Sequence, residues 1–272
     1  MTAGEAIHYG RSQLEAANIT SAHLDAELLL AHVTGLRREQ LLARHEQELS
    51  PTQSQEFDRL INRRAAHTPL VHLTGSREFY GLDFTITPDV LTPRVETEQM
   101  VEWAIRYAPK DSTLIDIGTG SGAIAVAIAK HRPDLEVTAT EVSEAALEVA
   151  RLNASKHDAE IKFIVSDLWE TVSGKFQTIV TNLPYLRDDA RDELMEEVKH
   201  EPYVALFGGS DGLDLYRRFL AGIQDHFEPG GYLFTECDPW QQAKLINETA
   251  KYGLRPLEQG YFILGFQNSQ IS

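Results

Sequence analysis

The chain has 272 residues, 42% of them hydrophobic, with 25 Lys+Arg against 41 Asp+Glu and a single cysteine. That apolar content supports a sizeable core in one large domain or two smaller ones and excludes a disordered chain, while the lone Cys237 excludes an internal disulfide or a cysteine-based metal cluster. The net charge of −16 argues against broad binding of duplex nucleic acid, which needs clustered Lys and Arg, and no apolar run reaches the roughly 18–20 residues of a membrane span.

The N-terminus mixes charges and lacks the apolar block of a secretory signal, so a cytoplasmic monomer without membrane association is expected. Residues 1–80 hold 8 Lys+Arg and 10 Asp+Glu, a sum of −2, which leaves −14 for residues 81–272. This balance favours a protein or small-molecule partner over nucleic acid.

The first 66 residues read as helices. Residues 22–34 place Leu24, Leu28 and Ala31 on one face at i, i+4, i+7 spacing, with Asp25 and Glu27 turned to water and Gly35 as the stop. Ser50 and Pro51 form an N-cap and first-turn proline for a helix carrying Phe57, Leu60 and Ile61. The apolar stripes predict a small bundle core. Residues 70–91 interleave β-branched and aromatic residues with polar ones, and Gly81-Leu82-Asp83 lies between two short extended runs. The expected organisation is therefore a helical domain over 1–69, a β-hairpin linker over 70–91 and a larger domain over 92–272.

From residue 113 onward strands and helices alternate. Strands are expected at 113–117, 135–140, 161–165, 178–181, 231–235 and 262–266, and helices at 123–130, 143–156, 213–226 and 239–251. The alternation predicts an α/β fold with a mostly parallel sheet. The acidic cluster from Asp188-Asp189 to Glu196-Glu197 reads as a solvated helix face.

The chemistry starts in the sequence Asp116-Ile117-Gly118-Thr119-Gly120-Ser121-Gly122, between a strand and a helix. Glycines there allow a sharp turn and a close backbone approach to a ligand, and the helix N-terminus offers free N–H groups. Glu141 follows at the end of the next strand, where a carboxylate can accept hydrogen bonds from ribose hydroxyls. Loop and acid together indicate an adenosine-containing cofactor. Gly118-x-Gly120-x-x-Ala123 also fits a permissive nicotinamide-dinucleotide fingerprint, and this position alone does not decide between them.

A second motif, Asn182-Leu183-Pro184-Tyr185, follows the strand at 178–181. Pro184 fixes its own φ and biases Leu183 toward an extended conformation. The Leu183 carbonyl and the Asn182 amide oxygen can then act as paired acceptors for the two hydrogens of one NH₂ group, with Tyr185 stacking over a planar substrate.

The pair DIGTGSG (116–122) and NLPY (182–185) resembles the class I methyltransferases that use S-adenosylmethionine. Further segments, LDAELLLAHV (24–33), GSREFYGLDF (75–84), TPRVETE (92–98), EPYVALFGG (201–209), DGLDLYRRF (211–219) and PGGYLFTE (229–236), are similar to the HemK-type protein-(glutamine-N5) methyltransferases. That resemblance implies a Rossmann-like methyltransferase domain with a seven-stranded, mostly parallel sheet, a small N-terminal helical bundle and a hairpin linker. It implies that Gly118, Thr119, Gly120, Ser121 and Gly122 hold the methionine part of S-adenosylmethionine, Glu141 its ribose, and Asp167 and Leu168 the adenine. It also implies that Asn182 to Tyr185 grip the amide of a release-factor Gly-Gly-Gln glutamine, with Phe79 and residues 94–98 lining the site. No metal is implied, and none of the ten histidines has metal or triad spacing.

Three positions depart from the family pattern. Leu183 stands where the family has the first of two prolines, Val95 replaces a proline, and GYFILGF (260–266) lacks a common arginine. The Asn-Leu-Pro-Tyr form is also similar to rRNA adenine dimethyltransferases. The alternatives are therefore N6-adenine methylation of RNA or DNA, glutamine methylation of another protein such as a ribosomal protein, and a binding protein without activity.

Overall fold

A computed structural model describes residues 1–269. The chain divides into two compact units: Met1–Ser76 with Met195–His200, and Arg77–Leu194 with the chain from Glu201 onward.

The first unit is built from α1 (Ala3–Ala16), α2 (Ala22–Thr34), α3 (Arg38–Ala43), α4 (Pro51–Ala65) and α5 (Leu70–Thr74). Thr2 and Glu5 close a capping box on α1, and Ser50 and Gln53 do the same on α4 with Pro51 in its first turn. Gly35 ends α2 at φ +67, as its sequence position predicts. Phe57, Leu60 and Ile61 are buried with Leu14, Leu29 and Leu30. The close helix contact needs Gly10, since a Cβ there would lie 2.8 Å from Phe57 Cζ and 2.9 Å from Ile61 Cδ1.

The face assigned to α2 from sequence is wrong. Leu24 is exposed, whereas Asp25 and Glu27 are 3% and 2% exposed. The core stripe is Ala22, Ala26, Leu29 and Leu30. Both acids are buried because each has a basic partner: Arg64 Nε donates to Asp25 at 2.7 Å, and Arg38 Nε donates to Glu27 at 2.6 Å. Arg64 also donates to Glu197. Glu197 is thus no member of a solvated helix face, and Asp188 and Asp189 lie in a separate 3₁₀ segment, Asp188–Glu193.

The hairpin is β1 (Ser76–Phe79) and β2 (Leu82–Thr85). Its turn residues are Tyr80 and Gly81, at φ +50 and +72, so Leu82 and Asp83 belong to the second strand. Paired left-handed turn residues match the right-handed twist of a two-residue hairpin. Residues 70–74, expected as extended chain, form α5 instead, ended by Gly75 at φ +73.

The second unit carries α6 (Glu98–Tyr107), β3 (Thr113–Ile117), α7 (Ala123–His131), β4 (Glu136–Glu141), α8 (Glu144–Lys156), β5 (Ile161–Val165), β6 (Phe176–Thr181), α9 (Tyr203–Leu206), α10 (Asp214–His226), β7 (Phe227–Glu236), α11 (Gln242–Ala250), β8 (Leu254–Gln259) and β9 (Ile263–Asn268). The seven-stranded sheet has the order β5-β4-β3-β6-β7-β9-β8. β3 through β7 pair in parallel, and β9 runs antiparallel to both β7 and β8. Neither β8 nor α6 was expected from sequence. Pro256 obscures β8, and an edge strand is the place where a sheet tolerates proline. Strand order reverses between β3 and β6, which opens a crevice beyond their C-terminal ends. Among the described residues no helix is long and apolar enough to cross a membrane.

Candidate active site

The crevice is an open cleft at the C-terminal ends of β3 to β6. The loop after β3 forms its floor. Gly118 and Thr119 N–H both donate to the Thr140 carbonyl at 2.9 Å, which ties the loop to the end of β4. Gly118, Gly120 and Gly122 have φ of +76, +54 and +80, a left-handed series that only glycine adopts without strain. Gly118, Thr119, Gly120 and Ser121 line the cleft. Gly122 does not. It is where α7 packs on α8, since an added Cβ would lie 3.0 Å from Ala150 Cβ.

Asp116 anchors the loop from below. It is 0% exposed and takes the Thr119 hydroxyl at 2.6 Å on Oδ2, while Oδ1 has no partner. Burial pushes its pKa up to about 7, and the Thr119 hydroxyl opposes that rise.

Glu141 Oε2 accepts the Gly120 N–H at 3.0 Å, and Oε1 accepts Val142 and Ser143 N–H at 2.8 and 3.0 Å. Three backbone donors fix this carboxylate at the mouth of the glycine loop. Asp167 and Leu168 line the same cleft after β5. Asp167 accepts from Arg218 Nη2 at 2.9 Å, and Leu168 sits at φ +52. A branched residue in the left-handed region costs roughly 1–3 kcal/mol, strain stored at the cleft wall.

Asn182, Leu183 and Pro184 line the opposite side. Thr181 Oγ1, just before them, donates to the Ile117 carbonyl at 2.8 Å and joins the two loop-bearing strands. Leu183 is buried in the apolar cluster with Ile117 and Leu213. Tyr185 does not line the cleft. Its ring packs against that same cluster, and its hydroxyl donates to Glu236 Oε1 at 3.1 Å, so stacking over a substrate is not the role its position provides. Burial and the Glu236 carboxylate hold the Tyr185 phenol well above its usual range.

Phe79 and Arg94 complete the wall, and Arg94 Nη2 donates to the buried Glu201 at 2.6 Å. Thr97, within the expected 94–98 segment, lines the cleft, and Asn153 has a structural role that the sequence does not single out. Asn153, buried on α8, binds both the N–H and the carbonyl of Thr85 and also the Ser121 carbonyl, joining the hairpin to the glycine loop. Among the described residues no group of His, Cys, Asp and Glu could hold a metal ion. A glycine loop, a fixed carboxylate and an apolar wall fit a cofactor that carries adenosine.

The PrmC N-terminal domain family matches residues 5–75, and the Methyltransferase small domain family matches residues 100–206. The release factor glutamine methyltransferase of Moorella thermoacetica is 43% identical over 256 residues, 92% of this chain and 90% of that protein. Those of Geobacter sulfurreducens and Koribacter versatilis are 37% and 38% identical, over 93% and 87% of this chain and 89% and 86% of theirs. The chain belongs to the release factor glutamine methyltransferase family.

The fold of this family member is shared with solved methyltransferases at lower identity. A methyltransferase from Pyrococcus furiosus aligns at TM-score 0.54 and 21% identity, covering 77% of this chain and 99% of its own. The 16S rRNA N2 G1207 methyltransferase of T. thermophilus, solved with AdoMet and guanosine, aligns at TM-score 0.54 and 20% identity, covering 72% and 50%. Two of the three departures from the family pattern can be placed in the structure. Leu183 fills core space with its side chain while its backbone carbonyl is retained, and Val95 lies exposed in a 3₁₀ turn.

Proposed function

We propose that the chain transfers a methyl group from S-adenosylmethionine to the N5 side-chain nitrogen of the Gly-Gly-Gln glutamine in peptide chain release factors; the S–CH₃ bond breaks as the N–CH₃ bond forms, S-adenosylhomocysteine leaves, and one N–H proton is lost to solvent. The observation that carries this reading is the placement of Asn182 and Leu183 across one cleft from the glycine loop and Glu141, in a chain of this family. When bound, the cofactor supplies a methyl group already activated by its sulfonium charge.

The protein's task is then to hold an amide nitrogen whose lone pair is delocalised and which is a poor nucleophile. Asn182 Oδ1 and the Leu183 carbonyl accept one hydrogen bond each from the glutamine NH₂ and orient it. These acceptors bind more strongly as the nitrogen becomes positive, so they favour the transition state over the ground state. Orientation of two reactants is worth up to roughly 7–11 kcal/mol. Gly118 to Ser121 and Glu141 hold the methionine and ribose parts, and Asp167 and Leu168 flank the adenine. The near-neutral helical unit docks the protein substrate.

The test is methyl transfer from labelled S-adenosylmethionine to a purified release factor, to ribosomal particles and to DNA, each offered separately. Label in the Gly-Gly-Gln glutamine alone is the expected result. Label confined to ribosomal protein or to nucleic acid would overturn it.

A further inference from the structure

The segment Asn182 to Tyr185 is fastened from behind by a glycine turn and one buried amide. Gly208 and Gly212 belong to the turn between α9 and α10. Leu186 N–H donates to the Leu206 carbonyl at 2.9 Å, and the Leu186 carbonyl accepts from Gly208 N–H at 2.8 Å, so the turn runs alongside the motif. The approach is closer than a side chain allows. A Cβ at Gly208 would overlap the Pro184 carbonyl oxygen, and one at Gly212 would overlap that of Tyr185.

Gln241 ties turn and motif together. It is 0% exposed, and its Nε2 donates to the Tyr185 carbonyl at 2.9 Å and to the Asp211 carbonyl at 3.1 Å, while its Oε1 accepts from Asp238 N–H at 3.1 Å. The amide fits in one sense only, since a carbonyl accepts and a backbone N–H donates. Asp211 is anchored in turn, its carboxylate accepting from Arg217 at 2.6 and 3.0 Å. The Tyr185 hydroxyl ends on Glu236, which also takes the Thr97 hydroxyl at 2.6 Å.

These contacts bear on Leu183. No ring fixes its φ, unlike that of Pro184. Its carbonyl lies in the peptide plane shared with Pro184, so its direction is set by what holds that plane on either side. Before it, the Leu183 side chain is buried in the apolar cluster; after it, the backbone to Leu186 is held by the turn and by Gln241. We propose that Gln241 is a positioning residue for methyl transfer: by pinning the Tyr185 carbonyl to the glycine turn, it fixes the direction in which the Leu183 carbonyl meets the substrate amide. This rests on the acceptor role proposed for Asn182 and Leu183. Gln241 does not line the cleft, so it acts through the motif backbone.

Turnover, KM for release factor, cofactor affinity and melting temperature are measured for wild type, Gln241→Met, Asp238→Ala and Asn182→Ala. Gln241→Met keeps the length of the side chain and removes both donors. It is expected to lower kcat by roughly 10- to 10²-fold, the scale of a small misplacement of a reacting group, with KM and cofactor affinity near wild type. Asp238→Ala removes the side-chain cap on Trp240 N–H, loosens the same turn and keeps the backbone N–H that Gln241 uses. It should lower the melting temperature and leave kcat near wild type. An equal kcat loss in Asp238→Ala, or a loss in Gln241→Met that lies wholly in cofactor affinity, overturns the positioning role. So does wild-type kcat in Gln241→Met beside a slow Asn182→Ala enzyme. Wild-type turnover in Asn182→Ala overturns instead the acceptor role on which the proposal rests. Should Gln241→Met not fold, Gln241→Asn is read the same way, since it keeps the amide and withdraws it by one methylene.

Discussion

Two acids at the glycine loop, Glu141 and the buried Asp116, carry the tests of cofactor binding and of pH response. Glu141 is held by three backbone N–H donors, one of them from Gly120. Glu141→Ala should therefore weaken S-adenosylmethionine binding by calorimetry while the fold survives, and unchanged affinity would refute its ribose role. Asp116 titrates near 3.8 when unfolded and about 7 when folded. Between those values the folded chain holds a proton that the unfolded chain has released. This group's contribution to stability is therefore full below pH 3.8 and is lost as the pH rises to about 7. Asp116→Asn keeps an acceptor for the Thr119 hydroxyl and removes the titration. Denaturant unfolding of the variant should vary less with pH across that window than wild type, and parallel curves would exclude the proposed titration. The residues singled out from sequence that line the cleft, Gly118 to Ser121, Glu141 and Asn182, share one trait: each sits beside a strand end whose apolar pattern can be read. Glu236 and Asp116 carry no such local signal. Their significance lies in which donors surround them, and Thr97 is far from Glu236 in sequence.

At the scale of elements, regular periodicity was readable and exceptions to it were not. β3 and β5 occur at their expected bounds, because short apolar runs between turn residues admit few alternatives. β8 was missed because Pro256 and two charged residues break its pattern. The α2 face was misassigned because burial there follows ion pairs with Arg64 and Arg38, partners that a helical wheel cannot show. α5 was missed because five residues with a β-branched Val71 give no helical period. The contact that joins elements at the site is Asn153. Replacing it by alanine leaves the Thr85 N–H, the Thr85 carbonyl and the Ser121 carbonyl without their partner. A buried orphan costs roughly 1–3 kcal/mol, so Asn153→Ala should lower the melting temperature and weaken cofactor binding together. Lost stability with unchanged cofactor affinity would show that Asn153 does not support the glycine loop.

Among the described residues, the apolar cluster from Ala3 to Leu73 shares no residue with the one from Ile115 to Phe266. Charge divides the same way, with −2 over residues 1–80 and −14 over the rest. The boundary between the units differs from the hairpin linker read from sequence. It falls at Ser76, and Met195–His200 returns to the helical unit, where Glu197 meets Arg64. No local pattern announces that return. It also makes truncation a poor test of docking, because removing residues 1–76 strips Glu197 of its partner as well. A cavity in the helical core is cleaner. Leu30 is fully buried there, and Leu30→Ala should cost that unit roughly 2–5 kcal/mol. If the helical unit docks the substrate, KM for intact release factor should rise, while cofactor affinity and turnover of a short Gly-Gly-Gln peptide stay at wild-type values. Peptide and intact protein share the chemistry and differ in what they offer for docking, so an equal loss on both would place the effect in the catalytic unit and end the docking reading.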